Sequence, residues 1–200
     1  AVIIATGGRP KELNISGEKE FRNKGVSYCT VCDGPVFKGK KVAVIGGGLS
    51  AMESAIMLSN IAKEVYLINK NPIFKGDKIL LDKIKSLPNV KVIYNGLTQK
   101  IFGDKIVEGL EYKDEKGDAQ KIGVDGVFIR IGLTPNSNFI DGIEKNEFGN
   151  IKINNKSETS IPGIFAAGDV ADAPYKQIVI AMGQGVSALL SAVDYLNKTI

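Results

Sequence analysis

The sequence predicts an α/β fold, and three observations carry this prediction. Short apolar runs of strand length alternate with segments in which apolar residues recur at helical spacing. A glycine-rich turn leads from one of these strands directly into a helix. Hydrophobic residues make up 44% and charged residues 24% of the 200 residues, which is typical of a globular protein with a sizeable core.

The predicted elements follow one another as a first strand, a polar linker over residues 10–24, a βαβ unit, a β-meander and a tail of strands and helix. The predicted strands are residues 2–5, 42–45, 65–68, 90–94, 107–112, 120–124, 127–131, 151–153 and 164–166. Helical spacing begins at Met52, a further helix over residues 78–87 ends before Pro88, and a second linker lies near residues 144–149. The closing helix carries on one face Val186, Leu189, Leu190 and Val193.

Charge and hydropathy narrow the classes of function. The net charge of +4 comes from lysines scattered along the chain without a basic block, so no binding of nucleic acid is expected. No apolar stretch approaches the roughly 18–20 residues of a membrane span, so no membrane contact is expected. The chain opens at Ala1 without a secretory signal pattern, and we expect it to be a piece of a longer polypeptide. With only two cysteines, a cytoplasmic protein is predicted.

The glycine turn has the spacing G-x-G-x-x-A. Gly46 allows a tight turn, Gly48 lets the backbone approach a pyrophosphate, and the small Ala51 allows the helix to pack closely. A phosphate group is expected at the helix N-terminus, beside Ser50, where free N–H groups favour anions. Because strand, turn, helix and second strand occur in this order, the sequence predicts a dinucleotide site. A purely structural turn is the alternative.

The choice of nucleotide depends on the end of the second strand of this unit. An acidic residue there holds a ribose hydroxyl and indicates NAD. The chain has Asn69 and Lys70 instead, with Lys75 shortly beyond them. No acid repels a 2′-phosphate and two lysines can attract one, which favours NADPH. The alternative is that both lysines are solvated loop charges and that NADH is the donor.

Cys29 and Cys32 form a C-x-x-C pair that is followed directly by Asp33. A zinc site needs two further soft ligands, and the chain has no other cysteine and no histidine, so no metal site is predicted. One thiolate can attack a disulfide and the other can resolve the mixed disulfide, which favours a redox-active pair over two inert thiols. Asp33 can carry the proton in a chain without histidine, or it can be a cap or turn residue.

Taken together, these motifs resemble the low-molecular-weight thioredoxin reductase family. The matching stretches cover nearly the whole chain in the family's order: residues 5–7, 29–34, 46–53, 132–136, 161–170 and 175–178. Residues 33–40 and 174–179 are equally similar to the flavoprotein subunit of alkyl hydroperoxide reductase. That protein shares this core and reduces a peroxiredoxin system through an added N-terminal disulfide module.

The resemblance implies a Rossmann-like NAD(P)-binding domain over residues 17–144, inserted into a second Rossmann-like domain that binds FAD. Residues 1–16 and 145–200 are then parts of the FAD domain, and the two domains rotate against each other. Reducing equivalents pass from NAD(P)H through FAD and the Cys29–Cys32 disulfide to a thioredoxin-like or glutaredoxin-like protein. Cys32 lies nearer the flavin, Cys29 attacks the partner protein, and Asp33 donates and accepts the proton. A homodimer is also implied. The implied FAD contacts are Thr6, Gly7, Gly168, Asp169, Gln177 and Ile178.

The chain departs from the family pattern in two respects. The family's first glycine motif, which holds the FAD pyrophosphate, is absent, so we expect weak FAD binding and little turnover from this chain alone. The arginine-rich cluster for the 2′-phosphate is reduced to Lys70 and Lys75. Three functions stay open: a thioredoxin reductase-like enzyme, the flavoprotein subunit that feeds a peroxiredoxin, and a non-catalytic nucleotide-binding module with inert or redox-sensing thiols.

Overall fold

Twelve strands, four α-helices and two short 3-10 helices (Gly34–Phe37 and Gly168–Val170) make up the regular structure of residues 1–199, the part of the chain that the computed structural model describes. The strands are β1 (Val2–Ile4), β2 (Gly8–Pro10), β3 (Val26–Ser27), β4 (Lys41–Ile45), β5 (Glu64–Ile68), β6 (Val90–Ile93), β7 (Leu97–Gly103), β8 (Val107–Lys113), β9 (Ala119–Gly123), β10 (Gly126–Ile129), β11 (Leu133–Pro135) and β12 (Ile164–Ala166). The helices are α1 (Thr30–Asp33), α2 (Leu49–Ser59), α3 (Lys78–Ser86) and α4 (Ile178–Thr199). The chain divides into two units, one formed by Glu12–Gly132 and the other by Ala1–Lys11 with the chain from Leu133 onward.

The unit Glu12–Gly132 is built on a five-stranded parallel sheet with the order β3-β10-β4-β5-β6. Successive side chains of a strand point to opposite faces, so Val42 and Val44 of β4 pack with α2 and α3. Ala43 and Ile45 pack on the opposite face with the antiparallel meander β7-β8-β9. The unit therefore has three layers, which are the helices, the parallel sheet and the meander.

The predicted α/β fold is confirmed, including the parallel strands and the meander. The predicted strand over residues 151–153 is wrong, because Ile151 makes only isolated bridges, to Lys145 and Ala171. Its side chain is fully buried among apolar neighbours, which explains the strand-like apolar pattern. The assignment of residues 17–144 to an NAD(P) domain stays a prediction.

The other unit contains the parallel pair β1-β12, the antiparallel pair β2-β11 and helix α4. Phe165 of β12 packs on α4, where the ring of Tyr195 lies edge-on with its centroid 6.3 Å away. The expected burial of β1 holds for Ile4, but Val2 is 56% exposed. Only one strand, β12, pairs with β1 in the described part of the chain, so this sheet is small.

Much of the apolar surface of α4 is exposed. The residues of its buried face are small, Ala188 and Ala192. The four residues predicted to share a face are all exposed: Val186, Leu189, Leu190 and Val193. By length and composition alone, Ile178–Lys198 also meets the requirement for crossing a membrane. The expectation that no apolar stretch reaches that length is therefore wrong, and the absence of membrane contact stays a prediction.

Candidate dithiol and dinucleotide sites

Cys29 and Cys32 form a disulfide at the start of α1, with their Cα atoms 5.3 Å apart. Cys29 is the N-cap residue, and the backbone N–H of Cys32 donates to its sulfur at 3.2 Å. Cys32 is exposed and Cys29 is half-buried. The pair is thus accessible to a second molecule while the backbone around it is fixed, which is what thiol–disulfide exchange requires.

Two buried hydroxyl groups connect α1 to α2. Thr30 Oγ1 donates to Ser54 Oγ at 2.8 Å, and Ser54 Oγ donates to the carbonyl of Ser50 at 2.7 Å. Because α1 has only four residues, it cannot be stable by its own backbone bonds. These hydroxyl groups hold the dithiol segment on the helix that follows the glycine turn.

Asp33 is half-buried and ends α1 directly after Cys32. Ser27 Oγ donates to its Oδ2 at 2.6 Å, a short distance of the kind found in charge-assisted hydrogen bonds. The carboxylate is therefore held next to the dithiol segment. Sequence reasoning missed Ser27, because β3 has only two residues and gives no periodic signal.

Tyr28, which precedes the dithiol, is held at both ends. Its O–H donates to the Glu18 carboxylate at 2.8 Å, and its carbonyl accepts from Arg130 Nη1 at 2.7 Å. Burial, the hydrogen bond to Glu18 and the charge of Glu18 raise the pKa of Tyr28, so the phenol stays protonated. Glu18 is fully buried and also accepts from the backbone N–H groups of Leu13 and Asn14. These contacts fix the strand end from which Cys29 follows.

Arg130 follows the carboxyl end of β10, beside the glycine turn. Its backbone N–H donates to the carbonyl of Ile45 at 2.8 Å, and its Nε is buried without a hydrogen-bond partner within the described residues. Burial lowers the pKa of Arg130, and the charge of Glu53 opposes this effect. A guanidinium remains protonated in proteins, so this side chain keeps a positive charge close to the turn. The apolar pattern of β10 gave no sign of it.

The glycine turn between β4 and α2 is closed on one side by its neighbours. A Cβ placed on Gly46 would lie 2.3 Å from the carbonyl oxygen of Arg130 and 2.9 Å from the Cβ of Ala51. A Cβ placed on Gly47 would lie 2.3 Å from Oδ1 of Asn69. Only glycine fits both positions, and the fully buried Ala51 allows the close packing that the sequence predicted.

The other side of the turn is open. A Cβ placed on Gly48 would meet nothing closer than the carbonyl oxygen of Lys75, at 3.9 Å. The backbone N–H of Ser50, in the first turn of α2, has no acceptor among residues 1–199, whereas the N–H of Leu49 faces the carbonyl of Lys75 in the isolated parallel bridge between Gly48 and Lys75. Open space, this free donor and the positive end of the helix dipole together favour an anion here.

Asn69 lies at the position of the ribose-binding acidic residue of NAD sites, but its side chain forms hydrogen bonds to the backbone of the loop that follows β5. It is buried; its Oδ1 accepts from the N–H of Asn71 at 3.1 Å and its Nδ2 donates to the carbonyl of Ile73 at 2.9 Å. Lys70 and Lys75 are exposed and form no ion pair in the described structure. Both ammonium groups are free for a ligand phosphate.

In the other unit, the predicted flavin contacts follow two paired strands. Thr6 and Gly7 follow β1, and Gly168 and Asp169 follow β12. Because β1 and β12 are parallel, these residues lie at the same edge of the sheet. Thr6 Oγ1 donates to the carbonyl of Asn136 at 2.7 Å, and Asn136 Nδ2 donates to the carbonyl of Thr6 at 2.8 Å. The hydroxyl that was predicted to contact FAD is thus already bonded within the chain.

Asp169 is held by its backbone, and its carboxylate is free. Lys176 Nζ and Asn150 Nδ2 donate to its carbonyl at 3.2 and 3.0 Å. Burial lowers the pKa of Lys176, whereas the charges of Asp169 and Asp172 raise it. Within residues 1–199 the carboxylate of Asp169 accepts no hydrogen bond, so it can accept one from a ligand hydroxyl.

The remaining predicted residues lie at the start of α4. The Gln177 carbonyl accepts from the N–H of Ala181 at 3.0 Å, and Ile178 is 82% exposed. The dithiol, Asp33 and the glycine turn belong to the unit Glu12–Gly132, whereas Gln177 and Ile178 belong to the other unit. In the described residues no group of three or more histidine, cysteine, aspartate or glutamate side chains is placed to hold a metal ion.

Comparison with known proteins identifies many relatives. The family profile described as pyridine nucleotide-disulphide oxidoreductase matches residues 1–185. An alkyl hydroperoxide reductase subunit of Escherichia coli (strain K12) is 50% identical over 203 residues, which cover 100% of this chain and 39% of that protein. A protein of Bacillus subtilis (strain 168) named NADH dehydrogenase is 48% identical over 199 residues, which cover 98% of this chain and 39% of that protein.

The solved structures include the thioredoxin reductase from Streptococcus pyogenes MGAS5005, which has a TM-score of 0.92 and 36% sequence identity. The match covers 98% of this chain and 65% of that one. The chain thus spans less than half of the curated relatives and about two thirds of the solved structure.

Proposed function

Since the chain belongs to the pyridine nucleotide-disulphide oxidoreductase family, we propose that it is part of a flavoprotein disulfide oxidoreductase similar to thioredoxin reductase. In this proposal, reducing equivalents pass from NAD(P)H through FAD and the Cys29–Cys32 disulfide to the disulfide of a thioredoxin-like protein. The observation that carries the proposal is the accessible Cys29–Cys32 disulfide beside Asp33, in the same unit as an open glycine turn.

Residues 17–144 are proposed to bind NAD(P)H, and residues 1–16 and 145–200 to contribute to an FAD domain. Gly46, Gly48, Ser50 and Ala51 form the pyrophosphate site. Space over Gly48 and the free N–H group of Ser50 at the start of α2 support this assignment. FAD contacts are assigned to residues at the ends of β1 and β12 and the start of α4: Thr6, Gly7, Gly168, Asp169, Gln177 and Ile178. The free carboxylate of Asp169 supports this assignment, while a homodimer and a cytoplasmic location stay predictions.

The chemistry at the dithiol balances with two electrons and two protons. FAD, when bound, supplies the two electrons that NAD(P)H delivers as hydride, and a further proton comes from solvent. The Cys29 thiolate attacks the partner disulfide and forms a mixed disulfide, and one partner sulfur leaves. Cys32 then attacks Cys29, which restores the Cys29–Cys32 disulfide and releases the partner as a dithiol. Asp33 carries the protons that the two leaving sulfurs take up.

NADPH is the proposed donor, because the loop after β5 presents Lys70 and Lys75 and has Asn69 in the place of an acid. The two lysines have no competing carboxylate among the described residues, which supports this choice. NADH is the alternative, favoured by the name of the Bacillus subtilis relative. Parallel reduction of the complete flavoprotein by NADPH and by NADH, followed spectroscopically, separates the two.

A second function is favoured by a specific observation. The Escherichia coli relative at 50% identity is named as a subunit of alkyl hydroperoxide reductase. In that case the same dithiol serves a peroxiredoxin system, and the partner disulfide differs while the chemistry at Cys29 and Cys32 is unchanged. A non-catalytic module is the third possibility, in which the thiols do not exchange at all.

The experiment that tests the proposal uses the dithiol. The chain is reduced with dithiothreitol, freed of it, and mixed with oxidised thioredoxin or, in parallel, with a peroxiredoxin disulfide. We expect loss of the partner disulfide with the native chain, a stable mixed disulfide with Cys32→Ser, and none with Cys29→Ser. Partner reduction that survives either substitution contradicts the enzyme proposals. Comparison of the two partners distinguishes the first function from the second.

A further inference from the structure

Ser27 lies at the end of β3 and is 5% exposed, two residues ahead of the dithiol. Its Oγ is within hydrogen-bond distance of three groups. It lies 2.6 Å from Oδ2 of Asp33, 3.0 Å from the backbone nitrogen of Cys29 and 3.3 Å from the carbonyl oxygen of Cys29. One buried hydroxyl therefore connects the backbone of a reacting cysteine to the carboxyl group beside it.

A serine hydroxyl has one proton to donate and two lone pairs that accept. When Asp33 is ionised, Ser27 donates to the carboxylate and accepts from the Cys29 N–H. When Asp33 is protonated, the carboxyl O–H can donate to Ser27, whose own proton then turns to the Cys29 carbonyl. All three distances allow both arrangements, so the hydroxyl has a partner in each state of Asp33.

We propose that Ser27 is a positioning residue that keeps Asp33 at the dithiol in both of its protonation states. This inference rests on the proposed function, in which Asp33 takes up and gives up a proton twice per turnover. Asp33 first takes the proton of the Cys29 thiol and passes it to the first leaving thiolate as the Cys29–partner bond forms. Cys32 then returns a proton to Asp33 and attacks Cys29, and that proton passes to the second leaving thiolate.

The test compares two disulfides that differ in their need for a proton. Hydroxyethyl disulfide releases an aliphatic thiolate that must be protonated, whereas dithiobis(nitrobenzoate) releases an aromatic thiolate that leaves unprotonated. The dithiothreitol-reduced chain is mixed with each in single-turnover experiments, which need neither flavin nor nicotinamide. We expect Ser27→Ala to slow the first reaction about tenfold and the second less than about twofold.

Two further sets of variants separate positioning from folding. In an Asp33→Asn background, Ser27→Ala should cause no further loss, because the group on which it acts is gone. Ser27→Thr keeps the hydroxyl group and should restore the rate of hydroxyethyl disulfide reduction. Ser27→Val, which has the shape of threonine without the hydroxyl, should not restore it. This pair also replaces Ser27→Ala if the alanine variant does not fold. Ser137→Ala, which removes a buried hydroxyl that donates to the carbonyl of Gly149 in the other unit, is the control.

The inference is overturned if Ser27→Ala slows the reactions with both disulfides equally, or if Ser27→Ala slows the reaction as much in the Asp33→Asn background as in the native chain. Ser27 then has a purely structural role. A native chain that reduces neither disulfide overturns it as well. A complete flavoprotein that fails to oxidise NAD(P)H overturns the proposed function but leaves the Ser27 result standing, because the test requires only the reduced dithiol.

Discussion

Gly46 and Gly48 are two residues apart in one turn, but the Cβ position of Gly46 is crowded and that of Gly48 is open. An added Cβ at Gly46 would lie 2.3 Å from a backbone carbonyl, and the residue has a φ of +152°. An added Cβ at Gly48 meets nothing closer than 3.9 Å, and its φ of −102° and ψ of 180° suit alanine. Gly46→Ala should therefore damage the fold, whereas Gly48→Ala should damage only the ligand site.

The expected sizes follow from these contacts. Backbone strain and overpacking of a core position contribute about 1–3 kcal/mol each, so Gly46→Ala should lower the free energy of unfolding by about 2–6 kcal/mol. For a chain of this size that corresponds to a fall in Tm of about 10 °C. Gly48→Ala should change the free energy of unfolding by less than about 1 kcal/mol. Its methyl group occupies the open space at the start of α2, so the dissociation constant for NADPH should rise at least about tenfold.

Thermal unfolding followed by circular dichroism and calorimetric titration with NADPH give the two quantities for each variant. The reasoning is refuted if Gly48→Ala binds NADPH as the native chain does, because the pyrophosphate then lies elsewhere. It is equally refuted if Gly46→Ala unfolds at the native temperature. Gly117→Ala is a useful reference, since Gly117 also has a positive φ, +87°, but has no atom within 4 Å of its Cβ position.

Three other outcomes are expected. The double variant Lys70→Ala/Lys75→Ala should bind NADPH about tenfold more weakly and bind NADH as the native chain does, as measured by calorimetric titration. Lys83→Ala is the control. Equally weakened binding of both nucleotides would exclude a 2′-phosphate contact. The hydrogen bond from Lys91 holds the pKa of Glu64 below its usual value. The pair therefore stabilises the folded state fully at a pH above the usual pKa of a glutamate, and this stabilisation is lost as the pH falls through the lowered pKa. Glu64→Gln should therefore flatten the loss of stability in acid denaturation, and a curve parallel to the native one contradicts the assignment. The purified chain should carry no stoichiometric flavin absorbance, because residues 1–199 form only a two-stranded parallel sheet at the predicted flavin edge.

Strands and helices are predicted well from the sequence where an apolar pattern repeats along one element. Contacts between residues that are far apart in the sequence are predicted poorly. The strands of the five-stranded sheet are apolar runs, and all but β3 were found from sequence alone. The dithiol and the glycine turn were found because their chemistry depends on neighbouring residues. Ser27 and Arg130 were missed, since each acts through a partner in another element, Asp33 in one case and the carbonyl of Tyr28 in the other.

Exposed apolar residues on α4 show a different limit of sequence reasoning. Helical spacing identified the face formed by Val186, Leu189, Leu190 and Val193, but spacing cannot say whether a face is covered. In the structure the small residues Ala188 and Ala192 form the buried side. Close packing against Phe165 requires small side chains there, so the larger apolar residues of α4 are left on its exposed face.

The dithiol segment is fixed by polar contacts more than by apolar burial, and this separates its chemistry from the stability of the fold. Val31 is 55% exposed and Cys32 is exposed, so neither anchors the segment in the core. Ser27, Tyr28 and Thr30 instead hold it through hydrogen bonds of about 1–3 kcal/mol net each, the two bonds to carboxylates being the stronger. Opening the disulfide leaves those bonds intact, because none of the three uses a cysteine sulfur. Substitutions at these three positions should therefore act on thiol reactivity, whereas substitutions in the five-stranded sheet should act on unfolding.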